Sequence, residues 1–320
     1  MKALNKTLLA SAVVSLFSAS AFAGDVVSVY GKLNVTAQKI DTSSADETKI
    51  QSNASRLGVK GSYDLGNDLE AFYTIEYEVD VSSDDKDNFE ARNQFIGLRG
   101  GFGTVMVGRN DTVTKKSQGK IDLFNDLDGD IKKLFKGDNR LAQTVTYYTP
   151  SFSGFKFGAT YVAEGDSKQK ATYVKNDKTY MYEGDGFGVT AMYGDSKLKK
   201  SKVFASVAYD SDVAGYDVLR ATVQGKIGAL KLGGMFQQQE SIKVGSESTN
   251  GYVLSAAYTI DKTTLKLQRQ DMEDKGDSWS VGADYKLAKP TKVFAFYTTR
   301  QYDGESVDNN YYGVGIEHKF

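Results

Sequence analysis

The sequence predicts an all-β chain that closes into a transmembrane antiparallel β-barrel. Three observations carry this. Segment after segment alternates apolar and polar residues with a period of two. The connections between segments are tight turns in some places and long polar loops in others, as expected of a barrel with two unlike rims. The last segment, YYGVGIEHKF, stops on Phe320, with Tyr312, Val314, Ile316, His318 and Phe320 on one face and Gly313, Gly315, Glu317 and Lys319 on the other.

The opposite end reads as an export signal. Lys2 and Lys6 form a basic start, residues 8–17 an apolar stretch, and Ala21-Phe22-Ala23 a cleavage site before Gly24. Residues 1–23 are therefore set apart from a folded domain spanning 24–320. The apolar stretch is too short to span a bilayer as a helix, and no later run of about 18 uncharged apolar residues replaces it.

Composition narrows the class. No cysteine is present, which excludes disulfides, thiolate metal sites and a cysteine nucleophile. Only 2 Pro accompany 32 Gly, 20 Tyr and 17 Phe, a balance that suits paired strands, where proline interrupts ladders and aromatic rings favour the pleated surface. Without Lys2 and Lys6, 38 basic side chains face 41 acidic ones, so the chain carries no basic footprint for nucleic acid.

The first segment places Val27, Val29, Leu33, Val35 and Ala37 opposite Ser28, Tyr30, Lys32, Asn34, Thr36 and Gln38. Leu57, Val59 and Tyr63 oppose Arg56, Gly58 and Lys60; Leu69, Ala71, Tyr73, Ile75, Tyr77 and Val79 oppose Glu70, Thr74, Glu76 and Glu78. Charge falls on the polar face. Tight turns are expected at 64–67, 100–103, 150–154, 184–186, 259–262 and 288–291, and long loops at 41–53, 82–88, 163–178, 241–250 and 302–309. A secreted β-sandwich also alternates, but several runs here exceed the five or six residues typical of its strands.

Counting runs gives about seventeen strands, and a barrel with both termini on one side needs an even number. The ambiguity lies within 172–228, where 195–201, 210–215 and 226–229 are connections of intermediate length. The expectation is 16 strands, with 18 as the alternative. Either leaves a water-filled lumen, because about eight strands already fill a barrel with side chains.

At this point the chain resembles the general, trimeric diffusion porins of the Gram-negative outer membrane. The resemblance rests on VYGKLNV at Val29, SRLGVKGSYDLG at Ser55, NQFIGLRGGFGTVMVGRND at Asn93, VTYYTPSFSGFKFGATY at Val145 and the final Phe320. It implies passive diffusion of small hydrophilic solutes and ions, a homotrimer in outer-membrane lipid, no cofactor and no metal. It also implies that Phe320 is read by the barrel-assembly machinery, although His318 stands where the family more often has an aromatic or aliphatic residue.

In that family one long loop folds into the lumen. The matching interval here is 111–139, which holds six Asp and six Lys, and a structureless stretch of that length inside a domain is usually functional. Its segment DLFNDLDGD resembles the acidic tip of the constriction loop, with Asp122 and Asp126 at the two carboxylate positions and Asp128 and Asp130 as possible additions, although the family's Pro and Gly-Gly are missing. The resemblance further implies a basic ladder on the facing wall at Lys32, Arg56, Arg92 and Arg140, with Arg109 and Lys60 as possible members. Lys32 and Arg56 fall on the polar face independently of it.

Other chemistry fits poorly. The loop aspartates miss EF-hand spacing, since Phe124 and Phe135 occupy the first and twelfth positions. His318 is the only histidine, which excludes a histidine metal cluster and leaves an outer-membrane enzyme without a placed base. The S-x-x-K strings at Ser117 and Ser196 lie in lysine-rich loops. A plugged adhesive barrel would need a long insertion other than 111–139.

Overall fold

The alternating runs form nineteen strands in the computed structural model, which describes residues 26–165, 171–175, 178–182 and 184–320. The proposed signal peptide, 1–23, lies outside the described residues. The first strands are β1 (Val26–Asp41), β2 (Asp46–Ser52), β3 (Arg56–Gly66), β4 (Leu69–Val79), β5 (Phe89–Gly100) and β6 (Gly103–Asp111). Then come β7 (Arg140–Tyr148), β8 (Phe155–Val162), β9 (Ala171–Lys175), β10 (Lys178–Tyr182), β11 (Gly186–Gly194), β12 (Val203–Val213) and β13 (Tyr216–Ile227). The chain finishes with β14 (Leu230–Ser241), β15 (Thr249–Ile260), β16 (Thr263–Met272), β17 (Gly276–Lys286), β18 (Thr291–Tyr302) and β19 (Asn309–Lys319).

Seventeen of these make one antiparallel sheet that closes on itself, because β1 pairs with β19 on one side and with β2 and β3 on the other. Strands β2 and β3 are two halves of a single stave: β2 lies beside the second half of β1 and β3 beside the first. The break at 53–55 has Ala54 in the left-handed region (φ 51°). It is bridged by one side chain and one main-chain bond, with the Asn34 backbone N–H donating to Ser55 Oγ at 2.9 Å and the Asn53 backbone N–H donating to the Asn34 carbonyl at 2.7 Å. The barrel therefore has sixteen staves. The remaining pair, β9 and β10, forms a separate hairpin.

One rim carries the connections 67–68, 101–102, 149–154, 195–202, 228–229, 261–262 and 287–290. The other carries 42–45, 80–88, 112–139, 163–185, 242–248, 273–275 and 303–308, together with one tight turn at 214–215. The segment 184–186, expected among the tight turns, sits on the long-loop rim instead, at the end of the excursion that holds the β9–β10 hairpin. Its glycines gave a turn signal without a rim signal. The three intermediate connections within 172–228 are all real, and they separate β11, β12, β13 and β14.

The outer face is a band of aliphatic side chains, including Leu33, Ile96, Val107, Val207, Leu254 and Val314, bounded by aromatic rings toward each rim. Tyr63, Phe155, Tyr193, Tyr258 and Tyr285 lie toward the short-turn rim, while Tyr77, Phe89, Tyr161, Phe187, Tyr209 and Tyr252 lie toward the other. This is the pattern of rings at headgroup depth around a hydrocarbon-facing belt. No helix among the described residues is long and apolar enough to cross a membrane.

Closure depends on a close approach at Gly31. Its amide donates to the Phe320 carbonyl at 3.0 Å, and the Phe320 amide donates back at 3.2 Å. A Cβ at Gly31 would lie 2.3 Å from the Phe320 ring and 2.8 Å from the Arg56 carbonyl. Gly31→Val is therefore expected to destabilise the seam by about 1–3 kcal/mol, the usual cost of overpacking. The check is the temperature at which the folded, fast-migrating band is lost on a detergent gel, which should fall; an unchanged temperature would contradict this packing.

Candidate functional site

The interval between β6 and β7, residues 112–139, is not a surface loop. It holds a short helix, α1 (Val113–Ser117), capped by Thr112, and a 3₁₀ turn at Ile131–Lys133 capped by Asp130. Its apolar residues turn against the inner wall. Ile121, Ile131, Leu134 and Phe135 pack on Met235, Val253 and Met272, and Phe124 and Leu127 pack on Phe294 and Phe296. The main buried apolar clusters of the barrel are therefore made by loop against wall.

Polar side chains of the wall satisfy the loop backbone. Arg220 is fully buried and donates to the carbonyls of Thr114 (3.1 Å) and Lys136 (2.7 Å) and to Gln237 Oε1 (2.7 Å). Gln268 and Gln270 both donate to the Gly129 carbonyl, at 2.9 and 2.7 Å, and Gln268 Oε1 accepts from the Leu123 amide at 2.7 Å. Gln224 accepts from the Lys120 amide at 2.8 Å, and Gln239 from the Lys136 amide at 2.9 Å. Arg300 donates to the Asp128 carbonyl. A loop without sheet partners stays buried only when its backbone groups are paired in this way.

The loop tip reaches the wall beyond β19. Asp126 Oδ2 lies 2.7 Å from Lys32 Nζ and 2.8 Å from Arg56 Nη2, and Lys32 and Arg56 are register partners on β1 and β3. Burial raises the Asp126 carboxyl, but Lys32 and Arg56 outweigh it and hold the group below the ordinary carboxylate range. The tip is thus an ion-paired clamp across three chain segments.

Between the loop and the wall of β3 to β7 lies a polar cavity of about 660 Å³. Its wall side carries Arg56, Glu76, Glu78, Glu90, Arg92, Arg109 and Arg140; its loop side carries Lys115, Lys116, Lys120, Asp126, Asp130, Lys132 and Asp138. The four expected basic positions do not form a free ladder. Arg92 is held by Glu76 at 2.7 Å and Glu78 at 2.5 Å, and Arg140 by Asp111 at 2.9 Å. Sequence reasoning placed Glu76 and Glu78 on the polar face but missed them as partners. The signal was cross-strand: Glu78 pairs with Arg56 on one side, and Arg92 enters from the strand on the other.

Of the further candidates, Arg109 lines the cavity and donates to the Ala91 carbonyl at 3.1 Å, and Asp130 lines it while capping the 3₁₀ turn through the Lys132 amide at 2.9 Å. Lys60 stands exposed over the Tyr30 ring at 5.3 Å. Asp128 accepts from Gln38 Nε2 at 2.9 Å and does not line the cavity. Asp122, expected to face the basic wall with Asp126, is turned inward instead: its oxygens accept from the amides of Phe124 (3.0 Å) and Ile131 (3.1 Å). It folds the tip rather than facing the cavity. Nothing among the described residues groups three metal-ligating side chains.

Burial and the neighbouring Asp130 push the Asp122 carboxyl well above the ordinary range, against the two backbone amides it accepts from. The folded loop therefore holds a proton that the unfolded chain releases near pH 4, and this contribution to stability fades as pH rises through the folded value. Asp122→Asn is expected to leave the current through a reconstituted barrel unchanged at acidic pH, where the carboxyl is protonated, and to reduce the current noise that appears as pH rises through the raised folded value. Noise rising with pH to the same extent in both proteins would remove the assignment.

The comparisons agree with this architecture. Residues 10–317 match the family described as Gram-negative porin. The major outer membrane protein P.IB of Neisseria meningitidis serogroup B is 27% identical over 297 residues, covering 85% of each chain. The outer membrane porin protein 32 of Delftia acidovorans is 26% identical over 318 residues, covering 91% of this chain and 88% of its own. In fold, the anion-selective porin from Comamonas acidovorans superposes with a TM-score of 0.75 at 22% identity, covering 92% of this chain and all of its own. The OmpF of Salmonella typhi, solved with daunomycin, gives 0.73 at 17%, covering 93% and 98%. A closed barrel with an apolar belt, a polar lumen and an inward loop, matched over its length to this family, is a member of the Gram-negative porins, an outer-membrane channel for passive diffusion of small hydrophilic solutes and ions.

Proposed function

We propose that the loop 112–139 and the wall of β3 to β7 form the size-limiting passage, with Lys32, Arg56 and Asp126 fixing the tip and Arg92, Arg109 and Arg140 lining the opening. The observation that carries this reading is the charged cavity between loop and wall, where side chains of both signs line opposed walls. Facing unit charges about 10 Å apart in water interact by only about 0.4 kcal/mol. Single pairs therefore tune the passage, while several in a low-dielectric frame focus a field across it.

The balance of charge favours anions. Most lining carboxylates are bound to a cation within 4 Å, whereas Arg109, Lys120 and Lys197 have no carboxylate within that distance among the described residues. The Comamonas relative is named as anion-selective, which supports the same direction. Assembly as a homotrimer is supported by a Vibrio cholerae outer-membrane neighbour solved in trimer form. We further read residues 1–23 as a removed export signal, Phe320 as the assembly signal, and the protein as non-catalytic, with His318 bonded to Thr291 at the rim at 2.8 Å.

Single-channel recording in a planar bilayer under a salt gradient tests this. Stepwise openings that close in thirds at high voltage are expected from a trimer. Arg56→Ala and Arg140→Ala should each shift the reversal potential toward cations, and Asp126→Ala toward anions, with all three shifts shrinking as salt rises above about 0.15 M, where the Debye length is near 8 Å. No shift in any of the three at low salt would remove these residues from the passage.

A further inference from the structure

The connection 195–202 is long for the short-turn rim, and it folds into the barrel mouth. Asp195 Oδ1 accepts from the Lys197 amide at 2.9 Å, and its Oδ2 accepts from the amides of Lys199 (2.9 Å) and Lys200 (3.1 Å). Ser201 Oγ accepts from the Asp195 amide and donates to the Val203 carbonyl, both at 2.7 Å. Leu198 is only 6% exposed and adopts a left-handed conformation (φ 53°). The segment is thus a compact, anchored turn whose single carboxylate is committed to its own backbone. It carries Lys197 into the lining of the charged cavity.

Lys120 arrives at the same cavity from the loop. Gln224 fixes its amide, and Gly119 beside it (φ 63°) lies so close to Phe204 that a Cβ would stand 2.7 Å from the ring. Neither the Lys120 nor the Lys197 amine has a carboxylate within 4 Å among the described residues, and each shares the cavity with the other. Both side chains are exposed to the cavity; partial desolvation there, followed by the fields of Lys116, Lys197 and Lys319, lowers the Lys120 ammonium, while Asp111 opposes the shift. The cavity's one carboxylate without a cation partner among the described residues, Glu90, lies toward the opposite rim.

We propose that Lys120 and Lys197 form a binding subsite for a small dianion, carboxylate or phosphate, on the short-turn side of the passage. The inference rests on the channel reading and extends it: the passage holds such solutes briefly rather than only admitting them. Two ammoniums carried on separate, backbone-anchored segments repel one another, and an oxyanion with two charges placed between them removes that repulsion. A monoanion does so only in part.

The test uses the full, purified protein in a planar bilayer in potassium chloride, with potassium succinate or inorganic phosphate added to one side at a time. Reversible interruption of the current is expected, stronger from the short-turn side and weaker with acetate. Lys120→Gln with Lys197→Gln should raise the half-blocking concentration about tenfold at about 0.1 M salt and less at 1 M. Lys199→Gln with Lys200→Gln should leave it unchanged. If the double variant does not fold, Lys197→Gln alone, which keeps every backbone bond to Asp195, should still raise it about threefold. Interruption by phosphate alone or succinate alone supports the subsite and identifies its source of dianion. Chloride current that neither dianion interrupts, or equal interruption of wild type and variant, overturns the subsite while leaving the channel in place. An inserted protein that passes no chloride current overturns the channel reading with it.

Discussion

Hydrocarbon offers no partner to a backbone amide, so a sheet crossing it must have no free edge. The pairing of β1 with β19 meets this demand, and the rest of the molecule follows from it. A closed ring of sixteen staves cannot fill its own interior with side chains. The interior is therefore wet, which reverses the usual burial rule: Leu, Val and Ile face outward, while Thr, Gln and Arg face in. Closure also makes the last strand indispensable, and the Gly31 contact with Phe320 shows how tightly that seam is fitted.

A wet interior raises a second problem, because a loop placed there competes with water for every hydrogen bond. The chain answers with residues that water cannot easily replace. Gln237, Gln239, Gln268 and Gln270 present amides in fixed rows at alternate positions of β14 and β16, and they bond the loop backbone directly. Arg220 ties both ends of the loop, Thr114 and Lys136, to one guanidinium. A fully buried cation with neutral partners is expensive, but its rigid fork spans two carbonyls that a hydroxyl or amide would not reach together. The loop is thus held at its root by hydrogen bonds, along its length by apolar packing and at its tip by charge.

The barrel was legible because its signal repeats. Each strand states the same two-residue alternation, and an error in one, such as the broken stave at 53–55, is corrected by its neighbours. The rims were less legible: the turn at 214–215 is tight yet lies among the long loops, since turn residues report local backbone geometry and not the side of the membrane. The site was legible in parts. Lys32 and Arg56 declared themselves by parity, and Asp126 through its resemblance to an acidic tip. Asp122 has the same chemistry and similar spacing, but its fate depends on whether two backbone amides close over it, which no periodicity encodes. Glu76 and Glu78 were visible as polar-face residues, but their pairing with Arg92 depends on cross-strand register.

Register also explains why the proposed passage differs from a simple acid-versus-base eyelet. Because Glu76, Glu78 and Asp111 stand next to the arginines on the same wall, much of the positive charge is neutralised before it reaches the lumen. Arg92 and Arg140 then act as rigid, hydrogen-bonded wall with a short-range field. The lining charges left to act over distance are those without a near partner among the described residues: the cations Arg109, Lys120 and Lys197, on three separate segments, against the single carboxylate Glu90. Selectivity in such a pore is set less by how many charges line it than by which of them the fold leaves unpaired, because a paired charge presents a dipole whose field falls faster than that of a lone ammonium.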